Sequence, residues 1–465
     1  MPVFLPAQLS RWTGGRWTAE PTGPLTGFTL DSRQLRPGEI FVAIKTAQRD
    51  GHDFLAAAQA AGASAALVAA PSEALALPQL VVADPLRAFQ AIAREHRRRF
   101  CGPVVGISGS AGKTSTKNLV ALLLGGEAGG VLATAGNLNN HLGVPLTLTR
   151  LDPERHAFAV IEAGISGPGE MRPLADMIEP DVSLITLVAS AHTEALGGLE
   201  GVAREKAVLP AATRASGVAI FSRTTAEHAA FRELGVRSMV VERTDVIRPT
   251  EPPKDKVHFT ISHRGDETAI VLAYGTPPPL IFTLRRVSEG MAQNAVVAIC
   301  AALWLGVRRE AIQARLGGWQ AARLRGEIRR EDGRLLYLDC YNANPASMAD
   351  ALEAFDALVP AGMPRLYVIG GMEELGAEAA GQHRAIGRFL RMGPEDRLYV
   401  IGTYAEEVCA GLLEQGDYSR QLQMVSSLDP AATAVAEWRG AIFVKGSRRY
   451  QLEQVLPHHA GSVHA

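Results

Sequence analysis

Cysteine is scarce in this chain, with four among 465 residues, at Cys101, Cys300, Cys340 and Cys409. They lie far apart and show no metal-ligand spacing. They are expected to be reduced, mostly buried thiols of a cytoplasmic protein. Cys340 sits beside a polar motif, but no base is paired with it, which argues against a nucleophilic role. An excess of either charge is also missing. Lys and Arg number 47 against 48 Asp and Glu, a net charge of −1, so nothing points to nucleic acid or an anionic membrane as a partner. The basic cluster REHRRRF (Arg94 to Phe100) reads as the solvated face of a helix. No apolar run is long enough to span a bilayer. The opening MPVFLPAQLS lacks a positive segment followed by a long apolar one, so no secretory signal is expected. No repeat of 20–50 residues is visible.

The composition, 47% hydrophobic and 20% charged, is that of a globular protein, and the length suggests about three domains. Short apolar, β-branched runs alternate with helical stretches throughout, which predicts an α/β protein. Residues 1–102 form a small α/β module of their own: GEIFVAI, SAALVAA and PQLVVAD read as strands, an Ala-rich helix ends near Gly62, and a longer helix runs from Pro85 to Phe100. CGP at Cys101 to Pro103 breaks that helix. Residues 103–317 read as a central parallel-sheet domain, with PVVGI, AFAVIEAG, DVSLITLV, GVAIFS and SMVVER as buried strands. A more polar stretch, Arg248 to Pro279, predicts antiparallel strands and a Pro-rich turn, GTPPP. The apolar helix EGMAQNAVVAICAALWLGV follows. In residues 318–465 the alternation restarts with RLLYLDC, RLYVIGG, DRLYVIG and AIFVKGS, a Rossmann-like doubly wound domain. Ligands in such sheets sit beyond the carboxyl ends of the strands, which here carry DCYNANP, GGMEELG and KGSRR.

The segment GISGSAGKTSTKNLV (Gly106 to Val120) predicts strand, phosphate loop and helix. Gly109 and Gly112 allow the tight bend that aims successive N–H groups at one anion. The helix start adds its positive dipole end. Lys113 would reach the β- and γ-phosphates and the Thr114 hydroxyl would ligate Mg²⁺. A strict Walker loop has glycine where this chain has Ile107, so the match is to a shorter form, G-x-x-G-K-T. The nucleotide is ATP or GTP; hydrolases, kinases and ligases all share such a loop.

Other residues hold two readings each. Glu162 ends a strand of the same sheet and fits either a Mg²⁺ ligand or a capping carboxylate. His192 follows the next strand and is either structural or a ligand. Lys206 is no better a candidate than Arg204 on sequence alone. Asn294, inside an apolar helix, must find hydrogen-bond partners, in the core or on a base. TAGNLNNHLGVPLTL (Thr134 to Leu148), with Asn137, Asn139 and Asn140, is a turn cluster or a substrate clamp. Ser32 and Arg33 suit an anionic ligand or a turn.

Five of these stretches occur in an order that resembles the Mur ligases: GSAGKTSTK, the asparagine loop, DCYNANPASM (Asp339 to Met348), GGMEELG (Gly370 to Gly376) and KGSRR. The similarity runs from about Asp31 to KGSRR. It implies ATP-dependent amide-bond formation through an acyl phosphate. The C-terminal signatures point to the member that joins D-alanyl-D-alanine to UDP-N-acetylmuramoyl-tripeptide; a DNPR-type motif of a sister enzyme is absent. By the resemblance, Gly109, Ser110, Ala111, Gly112, Lys113, Thr114 and Ser115 hold ATP, with Thr114 on one Mg²⁺. Glu162 and His192 would bind a second Mg²⁺ together with Lys206, carbamylated by CO₂. Asn294, Arg323 (with Arg325 as a rival), Asp339, Asn342 and Asn344 fall on the nucleotide side. Ser32 and Arg33 match the uridine-nucleotide site, and Lys445, Ser447 and Arg448 match a strand end facing the cleft. Gln293, Leu187, Thr193 and Thr46 depart from the family pattern. A cytoplasmic monomer is expected. The alternatives are a Mur-like ligase of another carboxylate, tripeptide-forming or folylpolyglutamate-type, and a nucleotide-binding regulator that ligates nothing.

Overall fold

The computed structural model describes residues 2–247, 255–275 and 278–457. Part of the expected strand-and-turn stretch, residues 248–254 with Thr276 and Pro277, lies outside them. The described chain carries three separate sheets, each with helices packed against it.

The first sheet contains β1 (Arg16–Trp17), β2 (Gly27–Thr29), β3 (Glu39–Val42), β4 (Ala65–Val68) and β5 (Gln79–Val81) in the order β1-β5-β4-β3-β2, parallel except for β1. Its long helix, Pro85–Arg98, starts where the sequence dictates. Asp84 accepts from the backbone N–H groups of Leu86 and Arg87, and Pro85 fills the first helical position, where no N–H is needed.

The basic end of that helix corrects the sequence reading. The expected solvated face contains Arg97, which is 0% exposed. Its Nε donates to Ile178 O at 2.8 Å, Nη2 to Glu179 O at 2.8 Å and to Asp181 Oδ2 at 3.0 Å, and Nη1 to Phe100 O at 3.2 Å. The guanidinium therefore satisfies carbonyls at the end of the helix Met171–Ile178 in the central domain. Burial pulls its pKa down to about 10, still far above neutrality.

The central sheet has nine strands: β6 (Val104–Ser108), β7 (Val131–Ala133), β8 (Phe158–Glu162), β9 (Val182–Ile185), β10 (Val218–Ser222), β11 (Ser238–Arg243), β12 (Lys256–Arg264), β13 (Glu267–Ala273) and β14 (Leu280–Arg285). The order is β14-β13-β12-β11-β10-β9-β6-β8-β7. The strands from β7 across to β12 are parallel; β13 and β14 close one edge as antiparallel ribbons. Apolar clusters fill both faces, as a parallel sheet requires. One cluster takes in the helix Glu289–Trp304, whose run from Ala295 to Ala302 is fully buried. Ile107 is buried inside β6, so the strand continues past the place where a longer phosphate loop would have turned.

The third sheet has six strands, β15 (Glu327–Glu331), β16 (Arg334–Asp339), β17 (Arg365–Gly370), β18 (Arg397–Ile401), β19 (Leu422–Val425) and β20 (Ala441–Lys445), ordered β15-β16-β20-β17-β18-β19. All pairs are parallel except β15 with β16. Four of these strands match the sequence expectation; β15 and β19 add an edge on each side. Asp339 and Lys445 are register partners at the carboxyl ends of β16 and β20. Three of the four cysteines are buried and all four are free. Desolvation pushes the Cys340 thiol up to about 12, against any nucleophilic use.

Candidate active site

A cleft of about 790 Å³ lies between the central and C-terminal sheets. On the central side, the loop after β6 carries Gly109 at φ 151° and Gly112 at φ 77°. Both positions need glycine for space as well as for backbone. A Cβ on Gly109 would fall 1.9 Å from Thr186 Oγ1, and one on Gly112 would fall 2.3 Å from Asn294 Nδ2. Asn294 thus sits directly on the loop, and Thr186 braces it from β9's end by donating to Ala111 O. The helix Lys113–Leu123 begins immediately after Gly112, so its free N–H groups and dipole face the cleft.

Lys113 Nζ donates to Gly109 O at 2.7 Å. Desolvation lowers its pKa, and Glu162 partly opposes that shift. Glu162 is 1% exposed at the end of β8. Its Oε1 accepts from Thr114 Oγ1 at 3.2 Å and from Asn139 Nδ2 at 2.8 Å. Its Oε2 is buried without a protein partner. A carboxylate oxygen without a protein partner beside a loop-end hydroxyl fits a hard divalent cation. Among the described residues no group of three or more His, Cys, Asp or Glu forms a ready-made metal cluster.

His192 lines the same cleft from a left-handed turn at φ 57°. Desolvation lowers its pKa, and the positive charges of Lys113 and Lys206 act in the same direction, against Glu374. Lys206, in the helix Leu199–Ala211, is 2% exposed and does not line the cleft itself. Burial, reinforced by Lys113, drives its pKa well below the usual 10.5. The charged ammonium is therefore disfavoured relative to an exposed lysine.

The C-terminal wall carries Asp339, Asn342, Asn344 and Lys445. Lys445 is 1% exposed and paired with Asp339, and it donates to Asn342 O at 3.4 Å. Burial raises the Asp339 pKa, opposed by Lys445. Asn344 caps the helix Pro345–Leu358 by accepting from Ser347 N at 2.9 Å. The same side chain donates to Ser110 O at 3.2 Å. That bond joins the C-terminal domain to the phosphate loop, so the two domains stand closed on each other.

Several candidates lie elsewhere. Arg323 is exposed and outside the cleft, whereas Arg325 lines it and stacks over Tyr341 at 3.8 Å from the ring centroid. Ser447 is buried behind the wall, accepting from Glu373 N at 3.2 Å, and Arg448 pairs with Glu453. Ser32 and Arg33 lie in the N-terminal domain, where Arg33 is held by Asp31. Asn137 and Asn140 line the cleft, and Asn140 also accepts from Gly143 N at 2.9 Å. The structure favours the rival Arg325 over Arg323 at the cleft; the sequence reading missed Thr186, Tyr341 and Asp350, whose carboxylate accepts from Gly290 N at 2.7 Å across the domain junction. Asp350 lies six positions after the Asn344 cap, near enough to the motif to have been suspected.

Three family models match the chain in tandem: "Mur ligase family, catalytic domain" over residues 24–97, "Mur ligase middle domain" over 107–302 and "Mur ligase, glutamate ligase domain" over 324–448. A relative from Escherichia coli (strain K12), UDP-N-acetylmuramoyl-tripeptide–D-alanyl-D-alanine ligase, is 34% identical over 438 residues, 93% of each chain. The chain belongs to the Mur ligase family. Among solved structures, a MurF from Acinetobacter baumannii superposes with a TM-score of 0.85 at 28% identity, covering 98% of both chains. The MurF ligase of Thermotoga maritima in complex with ADP gives 0.77 at 25% identity, covering 93% of this chain and 96% of that one. This Mur-family member has the three-domain α/β architecture of those structures along its full described length.

Proposed function

We propose that this protein is the ATP-dependent ligase that joins D-alanyl-D-alanine to UDP-N-acetylmuramoyl-tripeptide in the assembly of peptidoglycan precursors. The observation that carries the reading is the single cleft in which the phosphate loop, Glu162, Asn139 and His192 face Asp339, Asn344 and Lys445. The E. coli relative is named for this reaction and the Thermotoga structure holds ADP. We take the domain boundaries as 1–102, 103–317 and 318–465, and the site of action as the cytoplasm, consistent with four free cysteines.

The chemistry follows from the difficulty it must overcome. A carboxylate is a poor electrophile. The terminal carboxylate of the tripeptide takes the γ-phosphoryl of ATP, breaking the bond to ADP, and gives an acyl phosphate. The amine of D-alanyl-D-alanine then attacks the carbonyl carbon, and inorganic phosphate leaves with the bonding pair. Two anions must meet in the first step, so positive charge has to surround them. Lys113 supplies it by turning from Gly109 O to the phosphates. Asn344 holds the Ser110 carbonyl and fixes the loop from the opposite domain. Thr114 and Glu162 fit a Mg²⁺, which would neutralise phosphate oxygens. A further Mg²⁺ would draw on Glu162 and His192. Lowering of the Lys206 pKa by burial favours addition to CO₂: the lone pair of the unprotonated amine bonds to carbon, a proton is lost, and a carbamate anion would remain as a further oxygen ligand.

The test is phosphate release by the full chain with ATP and Mg²⁺. Release that requires both the UDP-linked tripeptide and D-alanyl-D-alanine supports the reading. Release with neither substrate would refute it.

A further inference from the structure

The loop GGMEELG is built as a rigid arm and is not spent on the cleft wall. Ser447 N donates to Gly371 O at 3.1 Å and Ser447 Oγ accepts from Glu373 N at 3.2 Å. Tyr450 Oη donates to Glu373 Oε1 at 2.5 Å, and Met372 N donates to His383 Nε2 at 2.9 Å. Leu375 is buried. Between these anchors Glu374 stands at φ 63°, a left-handed backbone that a non-glycine residue rarely adopts.

Its carboxylate is aimed across the domain junction. Glu374 Oε2 pairs with His192 Nδ1 of the central domain as an ion-pair contact, without the alignment of a hydrogen bond, and His192 is itself left-handed at φ 57°. Two strained side-chain-bearing residues facing each other from different domains suggest a position selected for an interaction. The neighbours reinforce the docking. Thr193 Oγ1 donates to Leu375 O at 3.5 Å. Gly376, at φ +57°, packs so closely that a Cβ there would lie 3.0 Å from Glu194 Cβ.

We propose that Glu374 is a positioning residue for His192, delivered by closure of the C-terminal domain: its carboxylate turns to accept the Nδ1 proton and leaves Nε2 as the atom available to a divalent cation. An imidazole that donates one nitrogen to a carboxylate is held in one tautomer and one ring orientation, and its other nitrogen becomes more basic. Metal affinity and domain closure are then linked: the cation binds the closed form more tightly, and by reciprocity favours closure. The inference rests on the ligase reading for its purpose but not for its test.

The test uses Mn²⁺ as the probe, titrated into the full chain in the presence of ADP and read by electron paramagnetic resonance. Glu374→Ala is expected to weaken Mn²⁺ binding about 10–100-fold, the usual cost of losing a ligand's hydrogen-bond partner. Glu374→Gln keeps an acceptor oxygen and is expected to stay within a few-fold of wild type. Gly376→Val retains the carboxylate but forces the arm off Glu194, and should weaken Mn²⁺ in the same direction. In the ligation assay kcat should fall in Glu374→Ala while KM for the UDP-linked peptide holds within about two-fold. Wild-type Mn²⁺ affinity in Glu374→Ala would overturn the positioning role. Wild-type affinity in Gly376→Val would overturn the link to docking. If the Mn²⁺ contrast appears in a chain that ligates nothing, the positioning role stands and the ligase reading falls.

Discussion

Replacing Lys206 by methionine should make the protein more stable while abolishing ligation. Lys206 is 2% exposed, and burial drives its pKa well below 10.5. At alkaline pH both folded and unfolded chains carry the neutral amine, and the folded chain bears only the penalty of a buried polar group, about 1–3 kcal/mol. Methionine has a similar length and removes that penalty. As pH falls below 10.5 the unfolded chain takes up a proton that the folded chain resists. The unfolded state then binds more protons, so wild-type stability drops with falling pH until the folded-state pKa is passed. Lys206→Met lacks this slope. Its advantage should therefore be about 1–3 kcal/mol well above pH 10.5 and larger at pH 7. Each kcal/mol corresponds to about 2–4 °C in Tm for a domain of about 150–250 residues. The assay is thermal unfolding between pH 6.5 and 9.5 in CO₂-depleted buffer, so that only the amine is present. Bicarbonate should then move the wild-type Tm and leave the variant unmoved. A destabilised variant, or an advantage independent of pH, would refute the argument that Lys206 is held neutral by burial.

Lys206→Ala should lose ligation, with partial recovery when a short carboxylic acid such as acetate is supplied; full activity without it rules out the carbamate. Gly112→Ala should raise the ADP Kd at least about tenfold by calorimetry, because φ 77° costs about 1–2 kcal/mol and the new Cβ meets Asn294 Nδ2 at 2.3 Å; an unchanged Kd would show that the loop tolerates another path. Arg97→Met should cost about 3–5 kcal/mol in urea unfolding, since Asp181 loses its buried partner and three carbonyls lose their donor; a loss under about 1 kcal/mol would mean that water replaces the guanidinium.

The sequence was most readable where one physical cause acts locally. Short apolar runs, β-branched in β6, β8, β9, β17 and β20 and leucine-rich in β16, placed these strands, because buried parallel strands are apolar on both faces. The phosphate loop was legible for the same reason: its two glycines answer to backbone geometry within five residues. Short or exposed edges were not legible. β1 has two residues, β15 reads EIRRE and β19 reads LQMV with half its side chains exposed, so neither length nor pattern marks them.

The remaining errors share a cause: the partner that decides a side chain's role lies far away in sequence. Arg97 looked like a surface residue because its acceptors are 81 to 84 positions on, and no local pattern distinguishes an arginine that will find them. Arg323 and Arg325 flank Leu324, which is buried and left-handed at φ 61°. That turn breaks the simple alternation by which one would assign facing, and it is Arg325 that lines the cleft. Ser447, matched by resemblance to a strand end facing the cleft, braces the arm that presents Glu374. The same logic explains why closure was invisible. Asn344 satisfies a local duty by accepting from Ser347 N as a helix cap; its second bond, to Ser110 O 234 residues away, exists only once two domains meet. A residue whose local duty is already satisfied gives no sign that it has another, so contacts made by closure are the ones that only coordinates reveal, and they are the ones on which a shared cleft depends.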